Sequence, residues 1–325
     1  MKYGFLGCGN MGGAIAKALA KVTTDMVLTD RSKKAEALAR ELGCIYGSAD
    51  VVARCDRIFL AVKPHMMEEA LKPLRSVLAE RKPLLITMAA GLTIERIEEM
   101  AGVKLPVIRI MPNTPVAVGK GMTQYCANEL VDGQTLADFL DDMRFAGRMD
   151  CLEERLIDAA SAVSGCGPAF AYLFMEALAD GAVACGLPRD KAMAYAAQMV
   201  EGSARMVLES IAYQVADLIH AMEADTGDKL KTLRVDGGAS VSDILMQFQS
   251  DILGTRIDRP QNVETTALGA AYMAGLAVGF FKSRDEIAEN MAIERTFTPQ
   301  LDADARETRY KKWLRAVERS RAWEE

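Results

Sequence analysis

The 325-residue sequence predicts an α/β protein that opens on a doubly wound parallel sheet. Three observations predict it. Short apolar runs alternate with helical stretches through the first third of the chain. A glycine-rich turn joins the first run to the first helix. The composition is that of an ordinary folded chain, 50% hydrophobic and 26% charged, long enough for two or three domains. A net charge of −6 argues against nucleic acid or an anionic membrane as partner, since both need a basic face. No apolar run reaches the ~18 residues of a membrane span, and no basic segment followed by an apolar stretch opens the chain. The seven cysteines are odd in number, scattered and free of paired CxxC spacing, which predicts a reduced cytoplasmic thiol set and no metal centre. All seven precede residue 210 and both tryptophans follow it, which marks 210 as a boundary.

Taken in order, KYGFLG (2–7) reads as a buried strand, followed by Gly7-Cys8-Gly9-Asn10-Met11-Gly12-Gly13 and an alanine-rich helix. The turn has the spacing of a dinucleotide fingerprint. Gly7 permits the tight turn, Gly9 lets the backbone approach a pyrophosphate, and Gly12 lets the helix pack close to the strand. Free amides at the helix N-terminus then face the phosphate charge. A Rossmann-type sheet is therefore expected. The next strand ends at Asp30, which suits a ribose 2′-hydroxyl, whereas Arg31, Ser32, Lys33 and Lys34 suit a 2′-phosphate; both cofactor forms stay open. RIFLAV (57–62), PLLITMAA (83–90) and VIRIM (107–111) supply further parallel strands, the first two strands of the sheet being adjacent. Ligands belong at their carboxyl ends, where 61–65 and 109–115 form loops carrying Lys63 and His65, either of them a surface residue or a site residue.

From 152 to 209 the pattern turns helical. Ser164-Gly165-Cys166-Gly167-Pro168 separates two helices, and FAYLFMEALADGAVACG is apolar nearly all round, which predicts burial on more than one side. Gly186 closes that helix and Pro188 opens the next. No glycine or proline lies between Gly202 and Gly227, and apolar residues recur at three- and four-residue steps, so one unbroken helix from about Arg189 to Asp225 is expected. Beyond it follow a strand (232–237), a helix (242–253), a short strand, a helix (265–279), a charged helix near 283–291 and a terminal helix with Trp313 and Trp323.

GCGNMGGAIAKAL, FLAVKPH, ITMAAGLTIE, VIRIMPNTPVAVGKG and AVSGCGPAFAYLFMEALADGAVACGLPRDKA together resemble pyrroline-5-carboxylate reductases, over residues 1 to about 209. The resemblance implies reduction of the C=N bond of 1-pyrroline-5-carboxylate by NADPH or NADH, in proline biosynthesis. It implies that Gly7, Gly9, Asn10, Met11 and Gly12 cradle the diphosphate, that Asp30, Arg31 and Ser32 meet the adenosine ribose, and that Ala61, Val62, Lys63 and Pro64 line the nicotinamide side. Asn113 is implied as a nicotinamide neighbour, and Asn113 and Glu176 are the candidate catalytic residues, Glu176 alternatively a paired structural carboxylate. Ser164, Gly165, Cys166, Gly167 and Pro168 form the implied substrate loop, with Cys166 as small-residue packing where relatives often have serine. An all-helical dimerisation segment, and so a homo-oligomer, is implied for 152–209.

The family's second glycine-rich substrate loop has no match after residue 209. LESIAYQ, AMEADTG, LRVDGGA, LMQFQSDILGT, ETTALGAAYMAGLAVGF and RAWEE instead resemble the C-terminal end of glycerol kinases, over about 208–325. That implies part of a ribonuclease-H-like (actin/hexokinase-type) α/β fold with a vestigial ATP site at Gly237, Gly238 and Ser242, serine standing where such kinases often carry asparagine. The chain is thus expected to be a fusion: a dinucleotide-binding domain (1–151), a truncated helical segment (152–209) and a kinase-like fragment (210–325). Three functions follow, namely the reductase, a non-catalytic dinucleotide-binding chimera, and a glycerol kinase whose phosphate loops and catalytic aspartate have no counterpart here.

Overall fold

In a computed structural model of the chain, residues 2–263, 265–289 and 292–321 are described. They fall into two compact units, Met1–Ala177 and Leu178–Glu325.

The first unit is built on eight strands: β1 (Tyr3–Leu6), β2 (Met26–Thr29), β3 (Ile45–Tyr46), β4 (Arg57–Leu60), β5 (Leu84–Thr87), β6 (Val107–Met111), β7 (Gly121–Ala127) and β8 (Gly147–Cys151). Their order is β3-β2-β1-β4-β5-β6-β7-β8. The first six run parallel, and β7 turns antiparallel to β6 with β8 parallel to β7. Between them lie α1 (Asn10–Leu19), α2 (Lys34–Leu42), α3 (Ala49–Val52), α4 (Met67–Leu71), α5 (Arg75–Arg81), α6 (Ile94–Ala101), α7 (Gly133–Asp142) and α8 (Glu154–Ser164), with α9 (Gly167–Ala184) crossing into the second unit. Strand side chains alternate between faces. Phe5, Phe59, Ile86 and Ile108 meet Ile15 of α1, Leu38 of α2 and Phe139 of α7 in one core. Leu6, Ile58, Leu60, Leu85 and Val107 meet Val52, Met67, Leu71 and Ile97 in the other. Burial on both faces explains why β1, β4, β5 and β6 read as continuous apolar runs. The edge strands β3 and β8 and the reversed β7 have no such run and were not anticipated.

At the foot of β1 a charged cluster closes the first core. The Asp142 carboxylate accepts from the Tyr3 hydroxyl at 2.6 Å, from Arg57 at 3.1 Å and from the Lys2 ammonium at 2.7 Å. Burial pushes this carboxyl up, but the bonds from Lys2 and Tyr3 and the Arg57 charge outweigh it and hold it below the usual carboxylate range. A carboxylate depressed in the folded state stabilises above the unfolded value near pH 4 and loses that contribution as pH falls through the lower folded value. Asp142→Asn is expected to cost about 2 kcal/mol at pH 7 and to flatten the acid limb of a thermal-melt series; equal melting of both proteins at pH 7 would refute the cluster's role.

The second unit holds α10 (Arg189–Thr226), α11 (Asp243–Leu253), α12 (Thr265–Ala277), α13 (Arg284–Glu289) and α14 (Ala303–Arg321). Its three strands are β9 (Thr232–Arg234), β10 (Arg256–Pro260) and β11 (Ile293–Phe297), in the order β11-β10-β9. β11 was not anticipated; Asn290 and Met291 of the expected charged helix, and Trp323, lie outside the described residues. The expected unbroken helix is present, and α10 runs 38 residues through position 210. Its buried positions are alanines, Ala192, Ala196, Ala212 and Ala216. The last two pack with Leu245, Met246, Phe248 and Ile252 of α11.

Two expectations are corrected in the helical middle. Of α9 only Ala179 is buried, while Phe170, Leu173 and Phe174 are 67%, 63% and 54% exposed. An all-round apolar helix needs cover on several sides, and one chain does not supply it. Residues Glu154–Ala184 also have the length and apolarity of a membrane span, contrary to the reading of short apolar runs. Alanines together with Leu173, Phe174, Leu178 and Val183 raise the mean hydropathy there, interrupted by charged residues and glycines. The stretch is in fact two helices, broken after Ser164, and α9 carries Glu176 and Asp180.

Candidate dinucleotide and substrate site

The strand order reverses between β1 and β4, and the fingerprint turn lies at the carboxyl end of that switch point. Gly7 takes φ +100°, a left-handed conformation open to glycine, and an added Cβ would stand 2.7 Å from the Ala61 carbonyl oxygen. At Gly12 a Cβ would stand 2.5 Å from the Gly7 carbonyl oxygen and 2.9 Å from the Ala61 Cβ. At Gly9 it would meet nothing within 4 Å. The protein itself thus demands glycine at 7 and 12, and only a ligand can demand it at 9. Burial pushes the Cys8 thiol up to about 12, so it stays a neutral packing group beneath the turn.

Two adjoining cavities follow the switch point. The first, about 450 Å³, is lined by Leu6, Gly7, Gly9, Thr29, Asp30, Arg31, Ala49, Ala61, Val62, Lys63, Met66, Glu69, Ala70 and Pro73. The second, about 640 Å³, is lined by Gly9, Asn10, Met11, Gly12, Ala14, Ala61, Val62, Lys63, Pro64, Met88, Ala90, Met111, Pro112, Thr114 and Ala117. Gly9, Ala61, Val62 and Lys63 border both, so the two volumes meet over the N-terminus of α1. The Asp30 carboxylate accepts from the Cys8 N–H at 2.7 Å and from the Ser32 N–H at 2.8 Å. Burial raises this carboxyl, but the main-chain bonds outweigh it and keep it ionised below its usual range. Ser32 lines neither cavity; its N–H instead holds Asp30. Glycines whose added Cβ would strike the main chain, free helix amides and a fixed carboxylate at the far end suit a dinucleotide.

Asn113, the expected nicotinamide neighbour, stands between Pro112 and Thr114, which line the second cavity. It is 8% exposed and lines neither cavity, because both ends of its amide are engaged. Its Nδ2 donates to the Ser164 carbonyl at 2.9 Å and its Oδ1 accepts from the Met122 N–H at 2.9 Å. The Ser164 hydroxyl in turn donates to Gln124 Oε1 at 2.8 Å. Asn113 therefore fixes the loop after β6 against the glycine-rich break, and its neighbours Pro112 and Thr114 face the cavity. Thr114 and Tyr172 of α9 bring their hydroxyls to 3.3 Å. Glu176 is exposed on α9 rather than buried, and Cys166 is exposed rather than packed. Gly165, Gly167 and Pro168 form the break and first turn as expected. His65 is exposed in a short 3-10 turn.

Sequence reading missed Arg109. It is 1% exposed at the centre of β6, pairing with Glu154 at 3.2 Å and Asp158 at 2.6 Å. Glu154 also accepts from the Ile94 N–H at 2.7 Å, at the start of α6. The signal was present as one charge inside the apolar run VIRIM. Glu69, by contrast, is one carboxylate among several after the Pro64 turn and carried no signal.

In the second unit Gly237 takes φ +74° and begins a 3-10 turn over Gly238–Val241. Ser242 caps α11, its hydroxyl accepting from the Leu245 N–H at 3.3 Å. A cavity of about 270 Å³ adjoins the turn, lined by Asp236, Arg234, Asp258 and Thr265 among others but not by Gly237, Gly238 or Ser242. Among the described residues no cluster of metal-binding side chains occurs.

A family model described as NADP oxidoreductase, coenzyme F420-dependent, matches residues 2–91, and one described as pyrroline-5-carboxylate reductase dimerisation matches residues 154–248. Fold and site together define a dinucleotide-dependent oxidoreductase joined to a segment of a second protein. The pyrroline carboxylate reductase of Plasmodium falciparum, solved with NADP bound, is 35% identical with a TM-score of 0.58, covering 64% of this chain and 78% of that one. The chain belongs to the pyrroline-5-carboxylate reductase family. It is also 58% identical over 121 residues to the glycerol kinase of Caldanaerobacter subterraneus, covering 37% of this chain and 24% of that protein. The glycerol kinase of Pseudomonas fluorescens is 44% identical over 206 residues, 63% of this chain and 38% of that protein. The chain thus spans well under half of these kinases, and is a fusion of a reductase with a partial kinase-like segment.

Proposed function

We propose that the chain reduces 1-pyrroline-5-carboxylate to proline with NADH or NADPH. The paired cavities over the fingerprint turn are the single observation that carries this reading. A bound reduced nicotinamide supplies the hydride. In this assignment Gly7, Gly9, Asn10, Met11 and Gly12 hold the diphosphate, Asp30 and Arg31 meet the adenosine ribose, and Ala61, Val62, Lys63 and Pro64 flank the nicotinamide side. The chain's own contribution is placement: the Asn113–Ser164–Gln124 hydrogen bonds fix the loop wall against which an imine carbon must sit, and placement is worth several orders of magnitude in rate. The domain limits 1–151, 152–209 and 210–325 belong to the same proposal. So does a cytoplasmic homo-oligomer, supported by the exposed apolar face of α9 and by seven unpaired cysteines.

A second reading, a dinucleotide-binding chimera without turnover, is favoured by one observation. Asn113 and Glu176, the two candidate catalytic groups, both lie off the cavities. Following the loss of NADPH or NADH absorbance on adding 1-pyrroline-5-carboxylate to the purified full chain decides between them. Steady oxidation proportional to enzyme supports the reductase. Cofactor binding with no substrate-dependent oxidation supports the chimera. Kinase activity is not proposed, since Ser242 is engaged as a helix cap and the matched segment covers only part of the kinases.

A further inference from the structure

We propose that the dinucleotide site of this chain selects NADH over NADPH, with Asp30 as the main selector and Glu69 as its auxiliary. The inference rests on the reading of the paired cavities as a dinucleotide site and goes on to name which dinucleotide. The Asp30 carboxylate lies at the rim of the first cavity, each oxygen holding one main-chain N–H. The Arg31 N–H and the Ser32 hydroxyl also bond the same carboxylate, which stays an acceptor-only, negatively charged group at the ribose end of the cavity. A 2′-phosphate offers no proton there and brings about −1.5 to −2 charges at neutral pH. Asp30 cannot swing aside to admit it without releasing the Cys8 N–H inside the fingerprint turn and the Ser32 N–H beyond it.

The basic cluster after Asp30 places only Arg31 in the cavity lining. Arg31 lines the cavity, but its guanidinium is already paired at 2.8 Å with Glu69, which lines the same cavity. A phosphate reaching for Arg31 meets a second carboxylate. The pair is exposed, with 68% and 70% of the two side chains accessible, so it is weak and Glu69 is the smaller part of the effect. Lys33 precedes the first turn of α2 and lies outside the cavity lining, as does Lys34.

The test is a fluorescence titration of the full chain with NADH and with NADPH at low and high salt. NADH is expected to bind at least ~10-fold tighter, because like charges set face to face are costly, and salt should narrow the gap by screening them. Glu69→Gln should narrow the ratio by a few-fold, and adding Asp30→Ser should abolish or invert it. Should the double variant not fold, the wild-type ratio and the exposed Glu69→Gln change still test the idea. NADPH binding as tightly as NADH, or more so, overturns the selectivity while leaving the site assignment standing. Binding of neither overturns the site assignment, and the selectivity with it.

Discussion

Gly12→Ala is expected to weaken dinucleotide binding at least ~100-fold and to destabilise the first unit by about 3 kcal/mol. The methyl group would arrive 2.5 Å from the Gly7 carbonyl oxygen, well inside contact distance. That carbonyl cannot retreat, because Gly7 itself sits at φ +100° hard against Ala61. The strain must go into α1, which has to lift from the β1–β4 switch point and carry its N-terminal amides away from the phosphates they would hold. Gly9→Ala separates the two effects. Its methyl group meets no protein atom within 4 Å, so the melting temperature should hold while affinity falls, the clash being with the ligand alone. Fluorescence titration and thermal melts on both variants measure this. If Gly9→Ala binds cofactor as the parent does, no pyrophosphate passes over the turn and the site assignment is wrong.

Legibility followed burial. β1, β4, β5 and β6 are covered on both faces, so an unbroken apolar run was the correct signal, and β6 matches VIRIM residue for residue. β7 reads GMTQYCA, with polar residues interleaved, and β3 has only two residues, both exposed. Neither leaves a periodic trace strong enough to read. The fingerprint glycines and Asp30 were legible because their constraint is local: a positive φ, a close backbone approach, a carboxylate two residues from the N–H it accepts. The double engagement of the Asn113 amide was not legible, for the opposite reason. Its partners Ser164 and Met122 are brought to it by the end of α8 and by β7, and no local pattern announces that an amide is spoken for at both ends. The same holds for α9. Its composition correctly announced a need for cover, but whether that cover comes from the same chain is not a local property.

Ser210→Pro should destabilise the second unit by about 3 kcal/mol or more while leaving dinucleotide affinity intact, since both cavities lie within Met1–Ala177. Position 210 is interior to α10, where proline removes a main-chain hydrogen bond and drives its ring against the carbonyl of Met206. The damage falls on packed residues. Ala212 and Ala216 are fully buried against α11, Tyr213 stacks on Trp313 with ring centroids 5.5 Å apart, and Asp217 accepts from the Trp313 Nε1–H at 2.8 Å. A kink one turn earlier misaligns all three. Because both tryptophans follow residue 210, urea unfolding read by their emission reports on this unit. Ser210→Ala is the control, losing only the hydroxyl bond to the Val207 carbonyl. A proline tolerated as readily as that alanine would mean that the chain turns at 210. An unbroken α10 makes the opposite demand: the alanines that seat α11 are held in phase by the helical turns before them, so the kinase-like segment relies for part of its core on a helix that begins well before position 210.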